Sequence, residues 1–589
     1  MKLKRTHTCG CANLDMVGQT VTLSGWVNDK RNLGGLTFIV IRDRYGITQL
    51  YFDPEKDTIL AEQANSLRSE DVISVKGEII ARPADMRNPN MKTGDIEILG
   101  QELEIINRSK VTPFEIHDNI EISEENRLKY RYLDLRRPSM QSNLILRHQV
   151  AQRVRAYFNA EDFIEIETPT LMKSTPEGAR DFLVPSRVHN GKFYALPQSP
   201  QLYKQILMAS GMDRYYQIVK CFRDEDLRKD RQPEFTQIDV EMSFMDQDEI
   251  MAMAEGLMID IFDSVLGKPL EAGFKRLTYH EAMSRFGSDK PDTRFGLEIK
   301  DIKPCVESSE FKVFKHVIET GGAISAILAP NCADYSRKKI DKLVDIAKQH
   351  GAGGLVHFKM KNGTLEGPVT KFLSETEITA LITHLQPQEN DLVLVSSDTW
   401  LTVSNVLGAL RLHIAEVESL IPEDTWDVLW VTDFPMFEED EERMVSMHHP
   451  FTMPNETDIE KIKADPLNIT AAAYDLVLNG NEIAGGSLRI FNKELQSAVF
   501  EMLKISPDEA QEKFGFLLDA FEYGAPPHGG FAFGFDRLVM LLAQENSIRE
   551  VIAFPKNQSA VSLMDAAPSP VDNDQLGDLG ISITKTEES

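Results

Sequence analysis

Cysteine is scarce in this 589-residue chain. Five residues, Cys9, Cys11, Cys221, Cys305 and Cys332, are an odd number scattered along its length. That excludes the paired framework that staples small secreted domains. Cys9 and Cys11 stand near His7, but one intervening residue is shorter than the usual zinc spacing, and no second pair follows. Long apolar runs are also missing: none approaches the ~18 residues that cross a bilayer. The start, MKLKRTHTCGCANLDM, has no apolar segment of the signal type. The expected compartment is the cytoplasm, with no membrane partner. Positive charge is in deficit, 64 basic against 92 acidic residues, for a net −28. Taken whole, that opposes nucleic-acid binding, which needs Lys and Arg to neutralise phosphate. The first fifty residues reverse the sign, with Lys2, Lys4, Arg5, Lys30, Arg31, Arg42 and Arg44 against Asp15, Asp29 and Asp43. An acidic protein can therefore still hold RNA at its N-terminal end. Absent too are the G-x-x-x-x-G-K-[ST] phosphate loop and the G-x-G-x-x-G dinucleotide pattern, which removes two common nucleotide folds.

What is present is ordinary globular composition, 42% apolar and 26% charged, in a chain long enough for three or four domains. Residues 21–27, 36–43, 47–52, 72–80 and 95–106 read as short strands punctuated by Gly34-Gly35, Tyr45-Gly46 and Asn88-Pro89. Five short strands in about a hundred residues suit a closed barrel such as an OB-fold, although a small sandwich gives the same pattern. A charged stretch, 121–139, links to a different texture. Val150, Val154 and Phe158 share one helical face, and FIEIETPT (163–170) alternates like a half-buried strand stopped by Pro169. Mixed helices and antiparallel strands follow, interrupted by a block with its own elements. The expected architecture is α+β and multidomain. It comprises an OB-fold β-barrel (1–108), a hinge (109–140), an antiparallel-sheet catalytic domain in two parts (141–287 and 423–557) around an inserted α/β domain (288–422), and a C-terminal extension (558–589).

Three constellations carry chemistry. In 220–244, Ile238, Val240, Met242 and Phe244 alternate with Gln237, Asp239 and Glu241, after a loop holding Arg223, Arg228 and Arg231. Polar residues on one strand face beneath Arg forks suit a polyphosphate, while alternation alone favours a solvent-facing strand. In GGFAFGFDRLVMLL (529–542), Gly529, Gly530 and Gly534 allow close backbone approach before an apolar helix that carries Arg537. Third, HHPFT (448–452) and YDLVLNGNEIAGGSLRI (474–490) supply Asp475 and Glu482 as candidate Mg²⁺ carboxylates, and Arg489.

Together these segments closely resemble the signature motifs of class II aminoacyl-tRNA synthetases. The helix and strand ending at Pro169 are similar to motif 1, FRDE (222–225) to motif 2 and GFAFGFDR (530–537) to motif 3. STPEGARDFLVPSR (174–187), QSPQLYKQ (198–205), FRDEDLRKDRQPEFTQID (222–239), HHPFT and GGSLRI resemble the bacterial-type aspartyl-tRNA synthetases nearly residue for residue, and the likeness spans essentially the whole chain.

The resemblance implies ATP and Mg²⁺, L-aspartate and tRNA(Asp) as ligands, and a homodimer formed through motif 1. It implies Arg223 and Arg537 as catalytic cations, the first bridging the ATP α-phosphate and the aspartate carboxylate, the second on the γ-phosphate. Asp224, Glu225, Gln232, Glu482, Gly534, Phe535 and Asp536 would complete the ATP site, with Phe235 stacked on adenine. Asp475 and Glu482 would hold Mg²⁺. Glu177 would close over the aspartate α-amino group; Lys204, Arg489 and His448 would surround its side-chain carboxylate, with Gln201 and Asp239 ordering the site. In the barrel, Phe38 would stack on an anticodon base while Arg31, Gln49 and Glu97 meet base edges. Relaxed relatives that also charge tRNA(Asn) tend to carry His where this chain has Leu33. A catalytically inactive RNA-binding paralogue would have lost some of Arg223, Glu482 or Arg537. Discrimination against asparagine is expected from two otherwise unpaired cations, Lys204 and Arg489.

Overall fold

The computed structural model describes residues 1–175, 178–440 and 443–584, which form two compact units. The first comprises Met1–Ile145 with Arg549–Ser569, the second Leu146–Ile548 with Pro570–Ser589.

In the first unit, β1 (Thr20–Leu33), β2 (Leu36–Asp43), β3 (Gly46–Phe52), β4 (Val72–Ala81) and β5 (Ile96–Asn107) close into a barrel in the order β1-β2-β3-β5-β4. This is the expected OB-fold order of short strands, within a few residues at most ends. Alternate residues such as Val21, Leu23, Ile39, Ile41, Val75 and Ile98 fill the interior. β1 runs six residues further than its apolar pattern, to Leu33, because a bulge between Val27 and Asp29 re-aims the strand. Gly34 and Gly35, both at positive φ, then close its hairpin with β2. The charged stretch after the barrel is not solvated throughout. Asp134 is fully buried and receives Arg131 at 2.6 Å, Arg137 at 2.9 Å and Arg127 at 3.0 Å. Arg131 also donates to the carbonyls of Arg549, Ile552 and Ala553.

The second unit contains an eight-stranded sheet. Its strands run in the order Lys275–Thr278, Val428–Thr432, Ala473–Leu478, Asn481–Leu488, His528–Gly534, Glu234–Ser243, Arg214–Phe222 and Ile164–Glu165. The pairings are antiparallel except at the two edges. Val150, Val154 and Phe158 are fully buried, as their periodicity predicts. Two details of the strand reading change. The 163–170 segment pairs only at Ile164 and Glu165, with Ile164 52% exposed, because the chain has just two parallel partners, Tyr215 and Tyr216, at that edge. Phe244 does not continue the apolar row of its strand. The strand ends at Ser243, and Phe244 takes a φ of +59° and faces solvent.

Residues 300–398 build a separate five-stranded sheet, in the order Lys300–Asp301, Ala323–Ala329, Leu392–Asp398, Val356–Lys361, Thr364–Glu366, with a core on each face. Its helix Trp400–Val417 packs on the end of the helix Tyr279–Phe286 through glycine: a Cβ on Gly408 would run into the Gly287 carbonyl. Buried Arg411 then donates to the carbonyls of Asp292 and Phe295.

Phe158 contacts Phe163 and Tyr216, both at 5.0 Å between ring centroids. Phe158→Ala should cost about 3–5 kcal/mol, read as a lowered midpoint in denaturant unfolding of the purified chain.

Candidate active site and nucleic-acid interface

The strand Glu234–Ser243 lies inside the sheet, between His528–Gly534 and Arg214–Phe222. Asp239 and Glu241, offered by alternation as solvent-facing, are 1% and 0% exposed. A buried carboxylate needs a cation. Lys204, on the helix Gln201–Ala209, meets Asp239 Oδ1 at 2.8 Å and Glu241 Oε2 at 3.1 Å, and donates to the Val240 carbonyl at 3.3 Å. Arg489, just past the strand Asn481–Leu488, grips Glu241 with Nε at 3.0 Å and Nη2 at 3.2 Å, while Nη1 donates to Ser487 Oγ. Burial would raise Glu241, but Arg489 and Lys204 outweigh it and hold the group at about 2. Asp239 has only a share of Lys204, and burial lifts it above the usual carboxylate range.

This arrangement corrects the expectation of two unpaired cations awaiting a substrate carboxylate. Each already has a protein carboxylate within ion-pair distance. The physical reason is that an empty pocket must also be stable, which bare buried charges would prevent.

Glycine lets the strands close up over this cluster. A side chain at Gly530 would strike the Val240 carbonyl and the Glu241 carboxylate, and one at Gly486 the Gly530 carbonyl. Gly534, in contrast, has nothing closer than Arg537 Cβ at 3.7 Å.

Beside the cluster lies a cavity of 240 Å³ lined by Arg223, Glu225, Gln232, Phe235, Glu482 and Arg537, among others. Arg223 lies over the Phe235 ring at 5.1 Å, and its buried Nε has no hydrogen bond among the described residues. Arg537 donates to the Glu482 carbonyl at 2.6 Å and to Asp230 at 3.0 Å. Glu225 pairs with Arg231 at 2.9 Å, and Asp224 lies 3.7 Å from Arg180. Asp536 lines the same cavity and accepts from Arg147 and the Thr236 amide, both at 2.6 Å, and buried Phe535 lies under the Arg147 guanidinium.

Asp475 and Glu482 converge over Gly485. Where a Cβ would stand, Asp475 Oδ1 is 2.7 Å away and Glu482 Oε1 3.7 Å. Burial, then the charge of Asp475, raises Glu482. Two crowded carboxylates with a glycine hollow fit a hard cation whose remaining ligands come from water or phosphate. No cluster of three metal-ligating side chains exists among the described residues.

The paired histidines divide. His448 lies 3.8 Å from Asp475, which raises it against the opposing effect of burial. His449 is half-buried and accepts the Phe451 amide on Nδ1 at 3.2 Å. Crowding by protein atoms, then Arg489 and Lys204, favours its neutral form. His449 is thus the histidine on the cation side, a distinction that the HHPFT string could not carry. Gln201 lies at the start of the Lys204 helix, 8% exposed. Glu177 lies outside the described residues.

In the first unit, a 1030 Å³ cavity brings together Arg31, Phe38, Gln49 and Glu97, with Leu33 at 73% exposure on its wall. Gln49 donates to Glu97 at 2.9 Å. Phe38 is half-buried and stacked on Tyr51 rather than part of the barrel core. Sequence reading missed Arg82, which lines this cavity and lies 3.9 Å from Glu97.

Comparison with known proteins gives the family. Residues 123–558 match the family model for class II tRNA synthetases of the D, K and N group, and residues 21–106 the OB-fold nucleic-acid-binding domain. The chain is 51% identical to the aspartate–tRNA(Asp/Asn) ligase of Desulfatibacillum aliphaticivorans, covering 100% of this chain and 99% of that one. The chain belongs to the aspartate–tRNA ligase family of class II. It is also 51% identical to the aspartate–tRNA ligase of Ruminiclostridium cellulolyticum over 99% of both chains. The fold alone is shared with asparaginyl-tRNA synthetase from Pyrococcus horikoshii, with a TM-score of 0.58, 19% identity and coverage of 94% of this chain and 98% of that one. It is shared likewise with the aspartyl-tRNA synthetase of Entamoeba histolytica, at TM-score 0.57 and 17% identity over 92% and 90% of the two chains. Members of the family use ATP as a substrate.

Arg489→Leu should cost about 3–5 kcal/mol of stability, because it leaves Glu241 only the Lys204 ammonium that it shares with Asp239. Arg489→Leu/Glu241→Gln should recover much of that in denaturant unfolding. The acid limb offers a second check. Because Glu241 is depressed, its contribution is complete above the ordinary carboxylate range and vanishes as pH falls toward about 2. Glu241→Gln should flatten that limb.

Proposed function

We propose that this chain activates L-aspartate with ATP to aspartyl-adenylate and transfers the aspartyl group to the 3′ end of tRNA(Asp). One observation carries the reading: a buried cation pair, Lys204 and Arg489, fixed by Asp239 and Glu241, adjoins a cavity with two arginines suited to phosphate. In the first step an oxygen of the aspartate α-carboxylate attacks the α-phosphorus and pyrophosphate leaves. Arg223 neutralises charge on both reactants, Arg537 holds the departing end, and Phe235 carries the adenine, with Gln232 and Glu225 beside it. Positioning and charge neutralisation supply most of the rate, and no side-chain base is needed. Mg²⁺, held by Asp475 and Glu482, would draw charge from the phosphates. Arg489 meets the substrate side-chain carboxylate directly. Lys204 contributes its charge from behind Asp239, and His449 joins the same wall. Glu177 and Gln201 serve the α-ammonium group. In the second step the terminal ribose hydroxyl attacks the adenylate carbonyl and AMP leaves.

The barrel reads the anticodon by stacking on Phe38 and by hydrogen bonds from Arg31, Gln49 and Glu97. Exposed Ile164 belongs to a motif 1 homodimer contact. The cytoplasm is the compartment of this reaction; among the described residues no helix is long and apolar enough to cross a membrane. A second reading, charging of tRNA(Asn) as well, is favoured by the names of relatives such as the Desulfatibacillum protein. Leu33, with no group to hydrogen-bond a base edge, favours the strict form.

ATP–pyrophosphate exchange should run with aspartate and Mg²⁺, without tRNA. A strict requirement for tRNA, or exchange driven by another amino acid, sinks the assignment. Phe38→Ala should weaken tRNA(Asp) charging by about 1–3 kcal/mol in kcat/KM, the worth of one base stack, and leave exchange unchanged. Charging tRNA(Asp) and tRNA(Asn) transcripts in parallel separates the two readings: comparable kcat/KM for both selects the relaxed form.

A further inference from the structure

His528 begins the strand His528–Gly534 and is 2% exposed, yet it belongs to none of the substrate groups above. Its backbone and side chain have different duties. The carbonyl accepts the Arg489 amide at 2.9 Å, and the residue pairs with Ser243 across the sheet. The imidazole Nδ1 lies 2.8 Å from the Pro526 carbonyl, and Nε2 lies 3.2 Å from the Gln205 side-chain amide. Gln205, itself fully buried, receives Gln201 Nε2 on its Oε1 at 3.0 Å.

Elementary donor–acceptor matching gives this chain one direction. A carbonyl can only accept, so Nδ1 must carry the proton. Burial, the first influence on this ring, lowers His528 and favours the neutral form that such a tautomer requires. Nε2 is then a bare lone pair and must accept, which forces Gln205 to point its NH₂ at the ring. The Gln205 oxygen therefore faces Gln201 and takes an N–H from it. Gln201 is left presenting its amide oxygen at the other end of the relay. An amide flip anywhere along the line would set donor against donor or acceptor against acceptor in a buried place, at the full cost of an unmade hydrogen bond. Pro526 and Pro527 restrict the backbone that aims the first carbonyl.

We propose that His528 is a positioning residue for the amino acid. Through Gln205 it locks Gln201 with its carbonyl oxygen available to the substrate α-ammonium. This rests on the reading that Gln201 lines the amino-acid pocket. An acceptor there attracts an ammonium group, and the reversed amide would repel it.

The test uses full-length variants in ATP–pyrophosphate exchange, with aspartate and ATP varied separately. His528→Asn can keep the donor toward Pro526 but has no acceptor at the Nε2 position; His528→Gln can place an amide oxygen there. The Asn variant should raise the aspartate KM about ten-fold, the worth of one mispaired hydrogen bond, with the ATP KM and kcat within about two-fold. The Gln variant should regain most of that loss. Gln201→Ala should match the Asn variant, and the double variant should be no worse than either single one, because the two act along one line. Equal losses in the Asn and Gln variants, additive losses in the double variant, or a matching rise in the ATP KM would overturn the relay. A raised aspartate KM in Gln201→Ala with a silent His528→Asn removes the relay alone. A silent Gln201→Ala removes the placement of Gln201 and the relay with it.

Discussion

Four buried charges, Lys204, Asp239, Glu241 and Arg489, set the terms for the catalytic unit. Removing each from water is costly, and only close mutual approach offsets that cost. Lys204 comes from a helix, the two carboxylates from the strand Glu234–Ser243, and Arg489 from the end of a strand two places away in the sheet. The strand between them has to be thin where it crosses, which accounts for Gly530; a side chain at Gly529 would meet Ile250 and Leu488 instead. A sheet that slipped by one residue would turn Asp239 and Glu241 to the opposite face and leave both cations stranded. The cluster therefore specifies register as well as chemistry.

Around that fixed point the site mixes charges of both signs. Arg223 and Arg537 line one cavity with Glu225 and Glu482. At the rim of the same cavity, Glu482 crowds against Asp475 over Gly485, and burial, then the charge of Asp475, raises Glu482. Asp475 also draws His448 toward the protonated form, whereas His449, one residue on, is driven neutral by burial and then by the charges of Arg489 and Lys204. Neighbouring identical residues thus acquire opposite electrostatic characters from position alone.

The barrel solves a different problem. A protein with net charge −28 holds Arg31 and Arg82 around a pocket where Gln49 and Glu97 are already hydrogen-bonded to each other. Such a preset polar pair beside the stacked Phe38 and Tyr51 rings suits unpaired bases better than a duplex. The field that matters to a nucleic acid is local, and the whole-chain charge says little about it.

Much of this was legible in the residue string. The helical face of Val150, Val154 and Phe158, the five barrel strands and the segments carrying Arg223, Asp475, Glu482, Arg489 and Arg537 all follow from periodicity, turn residues and motif likeness. These signals are local, and neighbours along the chain carry them. Tertiary structure alone decided the rest. Alternation says that Asp239 and Glu241 share a face but not what covers it, and the cover comes from Lys204, 35 residues before Asp239, and Arg489, 248 after Glu241. The early end of the strand at Phe244, the exposed Ile164, the buried Asp134 and the His528–Gln205 contact across 323 residues share that origin. A sequence determines which side chains an element offers to each face; only the packed fold decides which charges meet, and in a low-dielectric interior that meeting settles protonation, orientation and function.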